Sequence, residues 1–201
     1  ATNVDALRRR WFGDAAVVAI HTGNMGAKQY LENIMDAARL AARQNKDVVF
    51  GLVGNGSRRA ALEEYAAGVK NLVFVPSLDD AEYQAVLQSA DVLLINEKPG
   101  LRESVVPSKL TSYFVQGRPV VAATEADSVT ADEIRAADAG PVVAPGKPQA
   151  MLDAVLEVAG DADRAARHGR AAIEFAENNF TAASAIARVS GWLESLRRPF
   201  A

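Results

Sequence analysis

The chain has 201 residues, 49% hydrophobic and 23% charged, which lies between one large domain and two small ones and allows a sizeable core. A net charge of −3 speaks against nucleic-acid binding through bulk electrostatics. The absence of cysteine excludes disulfide frameworks, thiolate catalysis and cysteine-based metal sites, and it fits a reducing compartment.

No signal-peptide pattern opens the chain, and no apolar run approaches the ~18 residues needed to span a bilayer. The chain starts at Ala1 rather than at methionine, so a processed or cut piece of a longer protein is expected. Residues 1–14 read as a linker entering the first strand. The basic runs Arg8-Arg9-Arg10 and Arg197-Arg198 read as solvated tails, or as contacts with an anionic membrane surface.

From there, short β-branched runs alternate with alanine-rich amphipathic stretches. The runs are "AVVAIHT" (16–22), "DVVFGLV" (47–53), "NLVFV" (71–75), "DVLLI" (91–95), "PVVAA" (119–123) and "PVVA" (141–144). They lack period-two alternation, as strands covered on both faces should. Helical patterns are predicted near 27–44, 57–68, 80–89, 108–116, 128–138, 147–159, 161–178 and 182–197. The repetition predicts an α/β fold: a doubly wound, Rossmann-like parallel sheet of about six strands with C-terminal helices. The domain so bounded is 15–180, and 181–201 reads as a packed C-terminal tail whose stripe includes Phe180, Ile186 and Trp192.

Four loops carry candidate chemistry. "TGNMGAKQY" (22–30) follows the first strand, where phosphates commonly rest on helix N-terminal amides. Gly23 and Gly26 permit close backbone approach, and Lys28 can offer a charge to a phosphate oxygen. G-x-x-G is not the dinucleotide pattern, however, and a plain turn with a solvated lysine explains the same residues. "VGNGSRR" (53–59) and "GPVVAPGKP" (140–148) lack the Gly-Lys-Ser/Thr ending of a P-loop. Gly54-Asn55-Gly56 reads as a turn bordering a cleft.

"VPSKLTSYFVQGRPVVAAT" (106–124) is the third. Pro107 suits a helix start, Ser108 can cap it, and the amides of Lys109 and Leu110 can face an anion. Before it runs the loop "NEKPGLRESV" (96–105), whose Lys98, Arg102, Glu103 and Ser104 lie within reach of a ligand. An ordinary capped helix is the alternative. In the fourth loop, "FVPSLDD" (74–80), backbone groups of Val75 and Ser77 can pair with the edge of a planar base, or the strand simply ends before an Asp-capped helix. The two histidines, His21 and His168, are far apart in sequence, which speaks against a His-based metal site and a Ser-His-Asp triad; His21 sits at the end of the first strand, facing the expected cleft. Asp161 and Asp163 suit helix capping better than metal binding.

The order "TGNMGAKQYLENIMDAARL", "VVFGLVGNGSRRAALE", "NLVFVPSLDDAEYQAVLQSADVLL", "PSKLTSYFVQGRPVVAA" and "FTAASAIARVSGWL" resembles the C-terminal, donor-binding domain of a family 4 glycosyltransferase of the two-domain GT-B fold. The "PSKL…Y…GRPVV" form is most like bacterial transferases of exopolysaccharide, capsule, O-antigen and colanic-acid assembly. The resemblance implies transfer of a sugar from a nucleoside diphosphate donor, UDP or GDP, to an acceptor hydroxyl, with retention and usually without a metal or other cofactor. It implies that Gly23, Asn24, Gly26 and Lys28 frame the diphosphate, together with the amides of Ser108, Lys109 and Leu110, and that Val75, Pro76 and Ser77 flank the base. Glu103, Lys28 and Lys109 are the candidates for donor activation.

Many members carry two glutamates with seven residues between them; here those positions hold Ser104 and Ser112. Ribose binding would then fall to neutral hydroxyls at Ser112 or Thr111, with Glu103 near the sugar. The resemblance also implies a partner domain, N-terminal and acceptor-binding, of about 170–200 residues before Ala1. Residues 1–14 would be the interdomain join, and 181–201 a helix returning toward that domain. By the same resemblance, the expected protein is cytoplasmic, peripheral to the inner face of the membrane through the other domain, and acts on a lipid-linked acceptor. The chain alone would bind nucleotide weakly and transfer nothing. The competing readings are a nucleotide-sugar 2-epimerase-like half and a non-catalytic nucleotide- or partner-binding module.

Overall fold

The structure, a computed structural model, describes residues 3–101 and 107–181 and the single positions 184, 186 and 190. Helix α1 (Val4–Phe12) leads into β1 (Val17–Thr22). A single 3-10 turn (Ala27–Gln29), α2 (Glu32–Arg43), β2 (Val48–Val53), α3 (Arg59–Tyr65), β3 (Leu72–Val75), α4 (Asp80–Gln88) and β4 (Val92–Asn96) follow. The second half runs through α5 (Lys109–Phe114), β5 (Val120–Ala123), α6 (Val129–Ala136), β6 (Val142–Val143), α7 (Pro148–Ala159) and α8 (Ala162–Asn179).

The six strands form one parallel sheet in the order β3-β2-β1-β4-β5-β6. Each central strand is buried on both sides. In β1, Val18 and Ile20 face α1, α4, α5, α6 and α8, whereas Ala19 faces α2, α3 and α7. Because both faces are covered, the strands read as continuous apolar runs. Chain order reverses between β1 and β4, and β1 pairs with β4 only through Ala19–Val92 and Ile20–Leu93. Beyond those pairs the strand ends diverge, which opens a crevice at their carboxyl edge, the usual ligand position in such sheets. No helix among the described residues is long and apolar enough to cross a membrane.

Two local features depart from the sequence reading. The segment 1–14, expected as a linker, is helical over Val4–Phe12. Asn3 caps this helix by accepting from the Ala6 amide at 3.0 Å, and Leu7 and Phe12 are buried against the sheet. Arg8 is no solvated tail: its guanidinium donates to Asp91 Oδ2 at 2.8 Å and to the carbonyls of Ala15 and Ser89. Asp91 Oδ2 also accepts from the Val18 amide at 2.7 Å, so one carboxylate ties α1 to β1. Asp91→Ala leaves the buried Val18 amide without its acceptor. A loss of about 1–3 kcal/mol is expected, read as a lower urea midpoint. An unchanged midpoint would show that α1 is not held this way.

The helix expected at 27–44 is broken at Tyr30, which adopts φ 44°. The Asn96 side chain donates to the carbonyls of both Gln29 and Tyr30, at 2.7 and 2.8 Å. That clamp holds the break and fixes the loop over the end of β4. Asp161 caps α8 through the Arg164 amide at 2.9 Å, as its sequence position suggests.

Candidate functional site

The crevice between the ends of β1 and β4 is a cleft of about 420 Å³. Its wall includes Gly23, Asn24 and Lys28 from the loop after β1, Asn96 and Glu97 from the end of β4, and Ser108, Lys109 and Ser112 at the start of α5. Lys28 and Lys109, some eighty residues apart in sequence, therefore line one cavity. A second hollow of about 290 Å³ shares Gly23, Asn24 and Tyr83 with the first and is also lined by Gly54, Asn55, Ser77 and Leu78.

The loops after β1 and β2 meet backbone to backbone. Gly23 donates to the Val53 carbonyl at 2.9 Å, Met25 to Asn55 at 2.9 Å, and Arg58 to Met25 at 3.1 Å. A Cβ at Gly54 would lie 2.2 Å from the Gly23 carbonyl oxygen, so only glycine fits there.

Lys109 is the first residue of α5, and its side chain folds back over Gly23; Cε and Nζ both lie 3.6 Å from where a Gly23 Cβ would sit. Its Nζ is 3.1 Å from His21 Nε2, and His21 Nδ1 is 3.1 Å from the Leu94 carbonyl oxygen. Burial, then the charge of Lys109, hold the His21 imidazole well below the usual histidine range. The ring is therefore neutral at pH 7, with Nδ1–H donating to Leu94 and the Nε2 lone pair accepting from the ammonium. His21 holds the ammonium end of Lys109 and does not itself line the cleft.

Burial lowers Lys109 from 10.5 to about 8, with the Glu97 carboxylate pulling the other way. The Leu94 carbonyl also accepts from the Tyr113 hydroxyl at 3.3 Å, and that oxygen accepts from the Thr22 amide at 2.9 Å. Burial pushes the Tyr113 phenol upward, so it stays a donor. Where β1 and β4 stop pairing, side chains thus take over the ladder's hydrogen bonds.

Some expected site residues lie outside the cleft wall, and others sit there in a different role. Gly26 precedes the 3-10 turn and is not in the cleft wall. Ser108 makes no capping bond, and the Leu110 amide donates to the Pro107 carbonyl at 3.0 Å, with Leu110 itself buried. Val75 is buried, and its carbonyl already accepts from the Gly54 amide at 3.0 Å and Arg59 Nη1 at 3.3 Å. Pro76 is exposed outside both hollows, whereas Ser77 lines the second. Glu103, Ser104 and Arg102 lie outside the described residues. Glu97, Asn96 and Tyr83 join the site from the structure, and His21, expected to face the cleft, supports Lys109 instead of lining it. The position of Glu97, directly at the carboxyl end of a strand at the switch point, was the signal available for it.

Residues 16–161 match the family Glycosyl transferases group 1, and the chain belongs to that family. Among proteins it is similar to is the glycosyl transferase WcaI of Escherichia coli K12, whose name assigns it to colanic acid biosynthesis. The two are 36% identical over 128 residues, 62% of this chain and 31% of WcaI. A GDP-mannose-dependent α-(1-6)-phosphatidylinositol dimannoside mannosyltransferase of Mycobacterium tuberculosis is 28% identical over 159 residues, 79% of this chain and 39% of that protein. The chain thus spans about a third of the length of these relatives. In fold it is similar to Anabaena HepE, solved with UDP-glucose, at TM-score 0.77 and 17% identity over 96% of this chain and 52% of HepE.

Proposed function

We propose that this chain is the donor-binding half of a glycosyltransferase, with a nucleoside diphosphate in the cleft between β1 and β4. The single observation behind this reading is the meeting of two lysines from remote loops in one cavity, beside a glycine-rich backbone turn. Lys28 and Lys109 pair with the diphosphate oxygens, Gly23 and Asn24 line its path, and the hollow at Ser77 and Leu78 takes the base. Ser112 meets the ribose with a neutral hydroxyl.

In the transfer the bond from the anomeric carbon to the diphosphate oxygen breaks, and that oxygen keeps the electron pair. The acceptor hydroxyl oxygen forms the new bond and gives up its proton to the released diphosphate. The leaving diphosphate carries more negative charge in the transition state than in the donor, so fixed ammonium groups favour departure over binding. The full-length protein transfers a hexosyl group with retention to an acceptor supplied through another domain, in cell-surface polysaccharide biosynthesis; a lipid-linked acceptor suits that role. WcaI, by its name, supports the pathway, and the HepE complexes support the kind of donor. The chain alone does not catalyse transfer.

Calorimetry with UDP, GDP and ADP tests the reading. Binding of UDP or GDP supports it, and no heat from any of the three at millimolar concentration overturns it. The pH profile gives a further prediction. Lys109 titrates near 8 in the free chain, and the diphosphate favours its charged form. Affinity is therefore constant from about pH 7, where the terminal phosphate is fully ionised, to about 7.5, and falls by up to about tenfold per unit above 8. A flat profile to pH 10 would contradict direct pairing by Lys109.

A further inference from the structure

Glu97 is a carboxylate in a cleft read as an anion site. It is 9% exposed, lines the same cavity as Lys28 and Lys109, and is close enough to Lys109 to raise that lysine's affinity for its proton. Its orientation is fixed from behind. Thr130 Oγ1 donates to Oε1 at 2.7 Å, and the Thr124 hydroxyl donates to Oε2. Thr124 has only one proton, so the Ser128 hydroxyl, 2.8 Å away, donates to Thr124 and in turn accepts from the Ala131 amide at 3.0 Å. A chain of donors from the first turn of α6 thus ends on Glu97, each bond polarising the next. Each carboxylate oxygen takes one donor there and keeps capacity for another.

We infer that Glu97 is a specificity-determining residue: it admits a hydroxyl-bearing group beside the diphosphate and rejects a third phosphate. This rests on the donor-binding reading above. A carboxylate accepts readily from sugar hydroxyls, as a charge-assisted hydrogen bond. The same carboxylate repels a phosphate placed beside it, in a setting where water screens poorly. A sugar and a γ-phosphate both extend from the β-phosphate, so one residue acts with opposite sign on the two ligands. Building repulsion against the competitor is a common route to specificity. Nucleoside triphosphates share the base, ribose and first two phosphates of the donor, and the lysines alone would favour them.

The test is calorimetry at pH 7 on the whole chain with three ligands of each series: UDP, UDP-glucose and UTP, then GDP, GDP-mannose and GTP. In the series that binds, Glu97→Gln should weaken the sugar nucleotide about tenfold and strengthen the triphosphate about tenfold, with a smaller change for the diphosphate. Thr130→Val keeps the charge and removes one orienting donor. It should weaken the sugar nucleotide about threefold and leave the triphosphate excluded. A fall in all three ligands with Glu97→Gln would make the carboxylate merely structural and overturn the inference. A rise in all three would make it a simple screen of the lysines, and would also overturn it. Triphosphate gain without loss for either sugar nucleotide counts against it too. If the wild-type chain binds neither diphosphate, the donor-binding reading itself fails, and this inference goes with it.

Discussion

Lys109→Met is expected to weaken nucleoside diphosphate binding by about 30- to 150-fold, some 2–3 kcal/mol, without lowering the melting temperature. The loss is that of a charge-assisted hydrogen bond in a partly desolvated site. The unchanged or raised melting temperature follows from the same geometry. In the free chain the ammonium is held against His21 and below its usual proton affinity, so burying its charge costs stability rather than adding to it. Methionine fills the same space with no charge to bury, and that relief offsets the loss of the donor to the buried His21 Nε2, a cost of about 1–3 kcal/mol. The pH contribution has a definite sign: between about 8 and 10.5 the unfolded chain binds a proton at this lysine that the folded chain has released. The wild type therefore gains stability from Lys109 as pH rises through that window, and Lys109→Met does not. Residues retained at a stability cost are commonly functional. Thermal melts and calorimetry on the one variant decide the matter. Weak binding together with a fall of several degrees would assign Lys109 to the core instead.

Phe114→Ala carries the second large effect. The ring is fully buried at the end of α5, 5.9 Å from both Phe175 and Phe180, edge-on to the first and stacked on the second. Phe175 and Phe180 are themselves 5.6 Å apart at 85°, so the three rings close into one cluster joining α5 to the end of α8. The backbones also touch: a Cβ at Gly169 of α8 would lie 2.1 Å from the Gly117 carbonyl oxygen, which prevents the helices from closing over a cavity. Removing the ring should cost about 3–5 kcal/mol, and lower the melting temperature by about 6–20 °C. Diphosphate affinity should drop as well, because α5 places Lys109 at its first turn. A shift below about 2 °C would show that α8 repacks freely and that α5 is not anchored by it.

Which parts of this were legible in the sequence follows from the range of the forces involved. The six strands and the doubly wound order depend on apolar runs between turn residues, a local signal that parallel strands give strongly. Helix α1 was hidden by Arg8-Arg9-Arg10, although Val4, Leu7 and Trp11 have helical spacing. What helps dock it on the sheet, beside buried Leu7 and Phe12, is the bond from Arg8 to Asp91, over eighty residues away. The break at Tyr30 likewise depends on Asn96, which no local propensity reveals.

At the site, the sequence could place Lys28 and Lys109 at strand ends, and topology brings those ends together. It could not show that the Leu110 amide turns back to Pro107, or that the Val75 carbonyl is already taken, because both depend on the detailed path of a loop. Glu97 was missed for a related reason, whereas His21 reads from the sequence as facing the cleft at the end of β1, but not as a partner of Lys109. Each looks like a strand-end residue alone, and only its surroundings make it a support for Lys109 or a firmly held carboxylate in the cleft wall.

On the proposed reading, backbone turns and two ammonium groups hold one diphosphate between β1 and β4. A crystal structure of this chain with UDP or GDP, whichever binds, would show this outright. The diphosphate should lie in that cleft, with oxygens within hydrogen-bond distance of Nζ of both Lys28 and Lys109, and the base against Ser77 and Leu78. A nucleotide seated elsewhere, or a diphosphate touching neither lysine, would contradict it.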